Sequence, residues 1–257
     1  MEVLYLVLFF ILGLFMGSFF GVVGIRTARG ENFVTGRSKC DICKHPLTAL
    51  DMFPLFSFIF LKGRCRYCKN KINPLLFFVE LFSGLLFMIS YYSFGFSCEL
   101  LLALGIVSLL MIVVVSDFTY YIISDGILIF FAVYFLIIQG LIGGIEQVLS
   151  SLLSGVALFI FMYVLMCLGN VLFKRESLGG GDVKLLFVLG LLLDPFLGMI
   201  SIFLGSFIAL PISILVYMKT KEHVIPFGPF LIIGFLILFF TKLTTTDVLN
   251  FLLTFTT

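Results

Sequence analysis

Residues 100–115 constrain this chain more than any other stretch: sixteen positions of which Ser108 alone carries a polar side chain. A helix built from them is apolar on every face. A membrane barrel needs alternating apolar and polar residues instead, so that architecture is excluded. The rest of the chain agrees, with 61% hydrophobic and 12% charged residues among 257. Soluble domains carry about a quarter charged residues, and this chain has too little polar surface to cover itself. Several runs reach the roughly 20 residues that cross a bilayer. The expectation is an all-α integral membrane protein of about eight transmembrane helices.

The spans are expected at 3–25, 75–93, 99–116, 125–142, 148–173, 183–193, 196–218 and 225–241. The first follows Glu2 with no basic leader and is long for a cleaved signal, so it reads as a retained anchor. Gly13, Gly17 and Gly21 recur every fourth residue on it, a face that lets another helix approach closely. Residues 26–74 are different in kind. They hold Arg26, Arg29, Arg37, Lys39, Lys44, Lys62, Arg64, Arg66, Lys69 and Lys71, ten of the sixteen basic residues. Only Glu31, Asp41 and Asp51 oppose them. The positive-inside rule makes this loop cytoplasmic and the amino terminus external. Residues 117–124, 174–182 and 219–224 then also face the cytoplasm, with Lys174, Arg175, Lys219 and Lys221 among them. Segment 183–193 is short, about 16 Å of helix against a hydrocarbon core of about 30 Å. Re-entry there would put Lys219 and Lys221 outside, so a span is preferred. The division expected is an anchor (1–25), a basic loop (26–74) and a polytopic domain (75–257). No internal repeat is evident, and the tail 244–257 carries two short apolar clusters among threonines.

The basic loop carries Cys40-x-x-Cys43 and Cys65-x-x-Cys68, separated by 21 residues. Two such pairs supply the four thiolates of a closed structural zinc site. Two disulfides are the competing reading, and a cytoplasmic loop disfavours them. Lys39, Lys44, Arg64 and Arg66 favour thiolates. His45 reads as a bystander, and Cys98 and Cys167 as small buried apolar residues.

The remaining chemistry lies in the acids. Leu178-Gly179-Gly180-Gly181-Asp182-Val183-Lys184 sets three glycines before an aspartate at the mouth of an apolar segment. The glycines forgo helix stability and admit close backbone approach. Asp117 ends the long apolar run, and with Asp182 it is expected near the cytoplasmic interface. Two carboxylates sharing a site hold one proton between them, the arrangement of an aspartic protease. The blander readings are Asp182 as a helix N-cap and Asp117 as an interfacial acid. Asp125 competes with Asp117 as partner, but following Ser124 it reads as a helix start. Lys184 reads as a side chain snorkelling toward headgroups.

In this order the motifs resemble the type IV prepilin leader peptidases, membrane aspartic proteases of the GxGD kind. Gly17-Ser18-Phe19 with Arg26 resembles the opening signature. Residues 37–47, Pro54-Leu55-Phe56-Ser57 and 62–68 resemble the two cysteine knuckles and their link. Asn73-Pro74-Leu75 through Glu80, Asp117 with Asp125 eight residues on, Gly179–Lys184 as GxGDxK, and Pro226-Phe227-Gly228-Pro229-Phe230 complete the set. The resemblance implies a bacterial plasma-membrane enzyme, with Asp117 and Asp182 catalytic and Gly179, Gly180, Gly181 and Lys184 forming the motif loop. It implies Cys40, Cys43, Cys65 and Cys68 as the metal-binding knuckles. Its substrates would be prepilins or pseudopilins cut on the cytoplasmic side, with no nucleic acid as partner. It also implies methylation of the new amino terminus with S-adenosylmethionine, although no G-x-G-x-x-G follows a strand. Gly21 and Ser124 depart from the family's asparagine and proline. Two alternatives stand beside this: an intramembrane GxGD protease of the presenilin or signal-peptide-peptidase sort, and a zinc-stabilised scaffold or transporter. Against the former, Ser116 precedes Asp117 where that group has a tyrosine, and no P-A-L occurs.

Overall fold

A computed structural model describes residues 2–34, 36–40, 42–174, 178–220 and 226–254. Three residues weighed above, Asp41, Arg175 and Lys221, lie outside them. Among the described residues the regular structure is helical: α1 (Glu2–Ala28), α2 (Phe56–Phe60), α3 (Pro74–Phe94), α4 (Cys98–Tyr120), α5 (Asp125–Phe173), α6 (Gly180–Gly190), α7 (Pro195–Thr220), α8 (Gly228–Thr241) and α9 (Thr245–Thr254), with one 3-10 turn at Ala49–Met52. Five of these, α1, α3, α4, α5 and α7, are long and apolar enough to cross a membrane. Helix α5 is broken at Gly143 and Gly144, where φ reaches +65° at the second glycine. Its two arms are the fourth and fifth expected spans.

The expected boundaries move at the two acids. Nothing breaks the backbone after the apolar run, so α4 continues to Tyr120 and Asp117 lies within its last turn, not in a loop. Helix α6 starts at Gly180, so Asp182 is likewise helical. Helix α6 is short, as expected, at 11 residues. A turn after it leads to Pro195, which opens α7. The carboxy-terminal tail forms a helix of its own.

The chain divides into two compact units, Met1–Tyr120 and Tyr121–Thr257. In the first, α1 packs against α3 and α4, and α3 against α4. The spaced glycines of α1 make the contact. A Cβ on Gly13 would lie 2.6 Å from Ser83 O, one on Gly17 2.8 Å from Glu80 Cα, and one on Gly24 2.8 Å from Val115 Cβ. Hydroxyls within these helices turn back on their own carbonyls, as Ser90 Oγ does to Leu86 O at 2.7 Å and Ser108 Oγ to Leu104 O at 2.7 Å. Each thereby avoids a stranded polar group in an apolar layer.

In the second unit α5 packs on α6 and α7, and α7 on α8. Glycine contacts recur: a Cβ on Gly190 would lie 2.9 Å from Gly155 Cα, and one on Gly234 2.6 Å from Gly205 N. Buried Gln139 of α5 donates from Nε2 to Leu191 O at 3.1 Å. That bond satisfies one of the carbonyls left open at the end of α6, and it fixes this short helix in place.

Candidate active-site acids and metal centre

The two CxxC pairs fold as copies of one turn, offset by 25 residues. Cys40 N donates to His45 O at 3.0 Å and Cys65 N to Asn70 O at 2.9 Å. Leu47 N reaches Ser38 O and Ile72 N reaches Gly63 O, both at 2.8 Å. Single β-bridges, Lys39 to Pro46 and Arg64 to Lys71, close each turn. Lys44 and Lys69 both take the left-handed conformation, at φ 58° and 59°. This short repeat corrects the expectation of none. The constant spacing of Cys-x-x-Cys-Lys was its signal.

The four Sγ atoms converge to within 4.8 Å of one another. Cys40 and Cys68 Sγ are 3.9 Å apart, close to the roughly 3.8 Å edge of a tetrahedron with metal–sulfur bonds of about 2.3 Å. The donor set and its spacing therefore suit a tetrahedral soft-metal ion. Backbone N–H groups of Cys43 and Ile42 donate to the Cys40 sulfur and lower its thiol to about 7. The Cys43 thiol is raised to about 11: the His45 backbone lowers it, but burial and the three neighbouring sulfurs outweigh that. His45 stays outside the sulfur cage and packs on Tyr67, ring centroids 3.7 Å apart.

Asp51 ties the two knuckles to their link. Its carboxylate accepts from Thr48 N at 3.0 Å and Thr48 Oγ1 at 2.7 Å, and pairs with Arg66 Nε at 2.7 Å. Burial pushes its carboxyl up, but the Thr48 bonds and the Arg66 guanidinium prevail and hold it below the usual carboxylate range. Beside the first knuckle is a cleft of about 580 Å³, with Arg37, Ser38, His45 and Thr48 among its walls.

Asp117 is 6% exposed, in the last turn of the most deeply buried helix of its unit. Val115 and Ser116 before it are 0% and 1% exposed. The end of α4 is fastened to the end of α1, where Arg29 Nε donates to Tyr120 Oη at 2.6 Å and its guanidinium lies over the Tyr120 ring.

Asp182 is 8% exposed and occupies the third position of α6. The N-cap is Gly179, so the reading of Asp182 as an N-cap does not hold. Its amide donates to Gly179 O at 3.1 Å, and its carboxylate folds back over the glycine turn. A Cβ on Gly179 would lie 3.3 Å from Asp182 Oδ2, and one on Gly181 3.2 Å from Ile123 Cβ, whereas one on Gly180 would meet nothing within 4 Å.

Lys184 has a protein partner. Its Nζ lies 2.8 Å from both carboxylate oxygens of Asp125, at the start of α5. Two motif residues 59 positions apart are thus one ion pair, and Asp125 is committed to it. Spacing in the sequence carried no sign of this partnership.

What these features define is a class: a helical membrane protein with buried acids at the ends of apolar helices and a four-thiol centre on a basic loop. Two family models match, the bacterial peptidase A24 N-terminal domain over residues 11–94 and the type IV leader peptidase family over residues 104–214. The chain is 33% identical over 229 residues to the prepilin leader peptidase/N-methyltransferase of Bacillus subtilis, covering 88% of this chain and 90% of that protein. It is 32% identical over 257 residues to the protein of that name from Vibrio cholerae, covering 94% and 98%. With the Myxococcus xanthus protein of that name it shares 34% over 192 residues, covering 73% and 56%. No solved structure matches. The chain belongs to the type IV leader peptidase family.

Proposed function

We propose that this enzyme removes the leader from type IV prepilins or pseudopilins, with Asp117 and Asp182 as its aspartate dyad, and then methylates the new amino terminus. The observation carrying the reading is the shared setting of the two acids. Each is more than nine-tenths buried at the end of an apolar helix, where an acid is costly unless it is used. The dyad holds one proton. Its ionised member takes a proton from water as the water oxygen attacks the scissile carbonyl. The protonated member donates to that carbonyl oxygen and stabilises the tetrahedral intermediate. Collapse breaks the C–N bond, and a carboxyl proton passes to the leaving amine.

The ten basic residues of the loop support a cytoplasmic loop and active face in the bacterial plasma membrane. The four thiols support zinc as the ion of the knuckles, where it would order a loop with little core of its own. For methyl transfer, the cleft beside the first knuckle has room for S-adenosylmethionine, and Arg37 and His45 offer polar contacts. That molecule would supply the methyl group to the free amine.

Co-expression with a candidate prepilin tests the dyad: leader removal should stop in Asp117→Asn and in Asp182→Asn, and retained cleavage in either variant rejects it. Mass spectrometry of the mature pilin reads methylation, which Arg37→Ala should reduce while cleavage persists. Zinc content should fall in Cys40→Ser/Cys65→Ser, and unchanged metal would reject the knuckle site.

A further inference from the structure

Glu80 is an acid six residues inside apolar α3. Its Oε2 accepts the backbone N–H of Leu55 at 2.9 Å. The loop therefore reaches α3 well past its start at Pro74. Six residues correspond to about 9 Å along the helix. Aromatic rings also set the loop beside the shafts of α1 and α3, between their ends. Phe53 meets Phe15 of α1, centroids 5.6 Å apart. Phe15 is thirteen residues from the helix end at Ala28, or about 20 Å. Phe58 meets Phe77, one turn into α3, at 4.9 Å.

The outward face of this dip is apolar. Phe56, Ile59 and Phe60 are 52%, 60% and 79% exposed. Rings 53, 56 and 60 form a row with centroids 5.5 and 6.5 Å apart, continuous with Phe15 on the outer face of α1.

We infer that residues 53–60 dip into the leaflet on the loop side, with Phe56, Ile59 and Phe60 against lipid acyl chains. Backbone at that depth must satisfy itself without water. Ser57 N donates to Phe53 O, Ile59 N to Leu55 O and Leu61 N to Ser57 O, at 3.0–3.1 Å. Pro54 has no N–H to satisfy, and Leu55, at φ 59°, gives its N–H to Glu80. The acid inside α3 is thus a backbone acceptor for an inserted turn. Lys62 and Arg64 follow directly, where cationic side chains meet anionic headgroups. This insertion needs α1 and α3 to be spans and does not depend on the peptidase activity.

The chain has no tryptophan, so single-Trp variants of the full protein report local surroundings cleanly. Phe60→Trp is compared in phosphatidylglycerol/phosphatidylcholine vesicles with Phe82→Trp on the exposed face of α3 and Val34→Trp in the loop. Acyl-chain-brominated lipid should quench Phe60→Trp at least half as strongly as Phe82→Trp. Aqueous acrylamide should quench it several-fold less than Val34→Trp. Acrylamide quenching equal to that of Val34→Trp, with no effect of brominated lipid, would overturn the insertion. Phe60 is 79% exposed, so its replacement does not threaten folding.

Discussion

Asp117 and Asp182 are buried to nearly the same degree, yet they are held in opposite ways. Asp117 belongs to a long helix whose neighbours Val115 and Ser116 have almost no exposed surface, and Arg29 clamps the end of that helix through Tyr120. Asp182 belongs to an 11-residue helix that begins in a glycine turn, fixed by Gln139 at one end and by the Lys184–Asp125 pair near the other. One acid sits on a helix held by packing, the other on a helix held by a few polar contacts around small residues.

The largest test of this contrast is removal of each acid. Asp117→Asn and Asp182→Asn should each reduce leader removal by about a thousandfold, and the double variant should be no worse, since groups acting as a unit are not additive. An additive double variant would separate the two acids functionally.

Next come the glycines around Asp182. Gly179→Ala presses a methyl group on its carboxylate and, if the proposed dyad holds, should cost about tenfold in cleavage with expression unchanged. Gly181→Ala presses on Ile123 and should also impair cleavage. Gly180→Ala has open space and should stay close to wild type. Equal losses at all three positions would point to loop flexibility instead of crowding.

The packed acid answers differently. Gly24→Ala forces α1 against Val115 and Ile112, and should lower stability by about 1–3 kcal/mol as other overpacked contacts do. Thermal unfolding in detergent reads this, while activity per folded molecule should fall less than in Gly179→Ala.

The smallest effect is expected at the ion pair. Lys184 and Asp125 are more than half exposed, so their coupling in a double-mutant cycle with Lys184→Met and Asp125→Asn should be about 0–1 kcal/mol. A loss of cleavage approaching that of Gly179→Ala, at unchanged stability, would promote the pair to positioning Asp182.

Much of this was legible beforehand. The apolar runs marked the helices to within a few residues, because hydrophobic length answers to bilayer thickness. The repeated glycines of α1 announced close packing, and the CxxC spacing announced a four-thiol cluster. Asp125 with Lys184 and Leu55 with Glu80 were not legible. Each joins residues distant in sequence, and Asp125 and Lys184 have blander roles when read alone.

Composition and run length by themselves determined a helical membrane protein with a basic cysteine loop, since few architectures keep such a chain's backbone satisfied in lipid. Only the tertiary structure decided that both acids lie inside helices, that Lys184 is committed to Asp125, and that the loop reaches back along α1 and α3. Those outcomes depend on which distant polar groups meet where water is scarce, and local sequence does not encode that meeting.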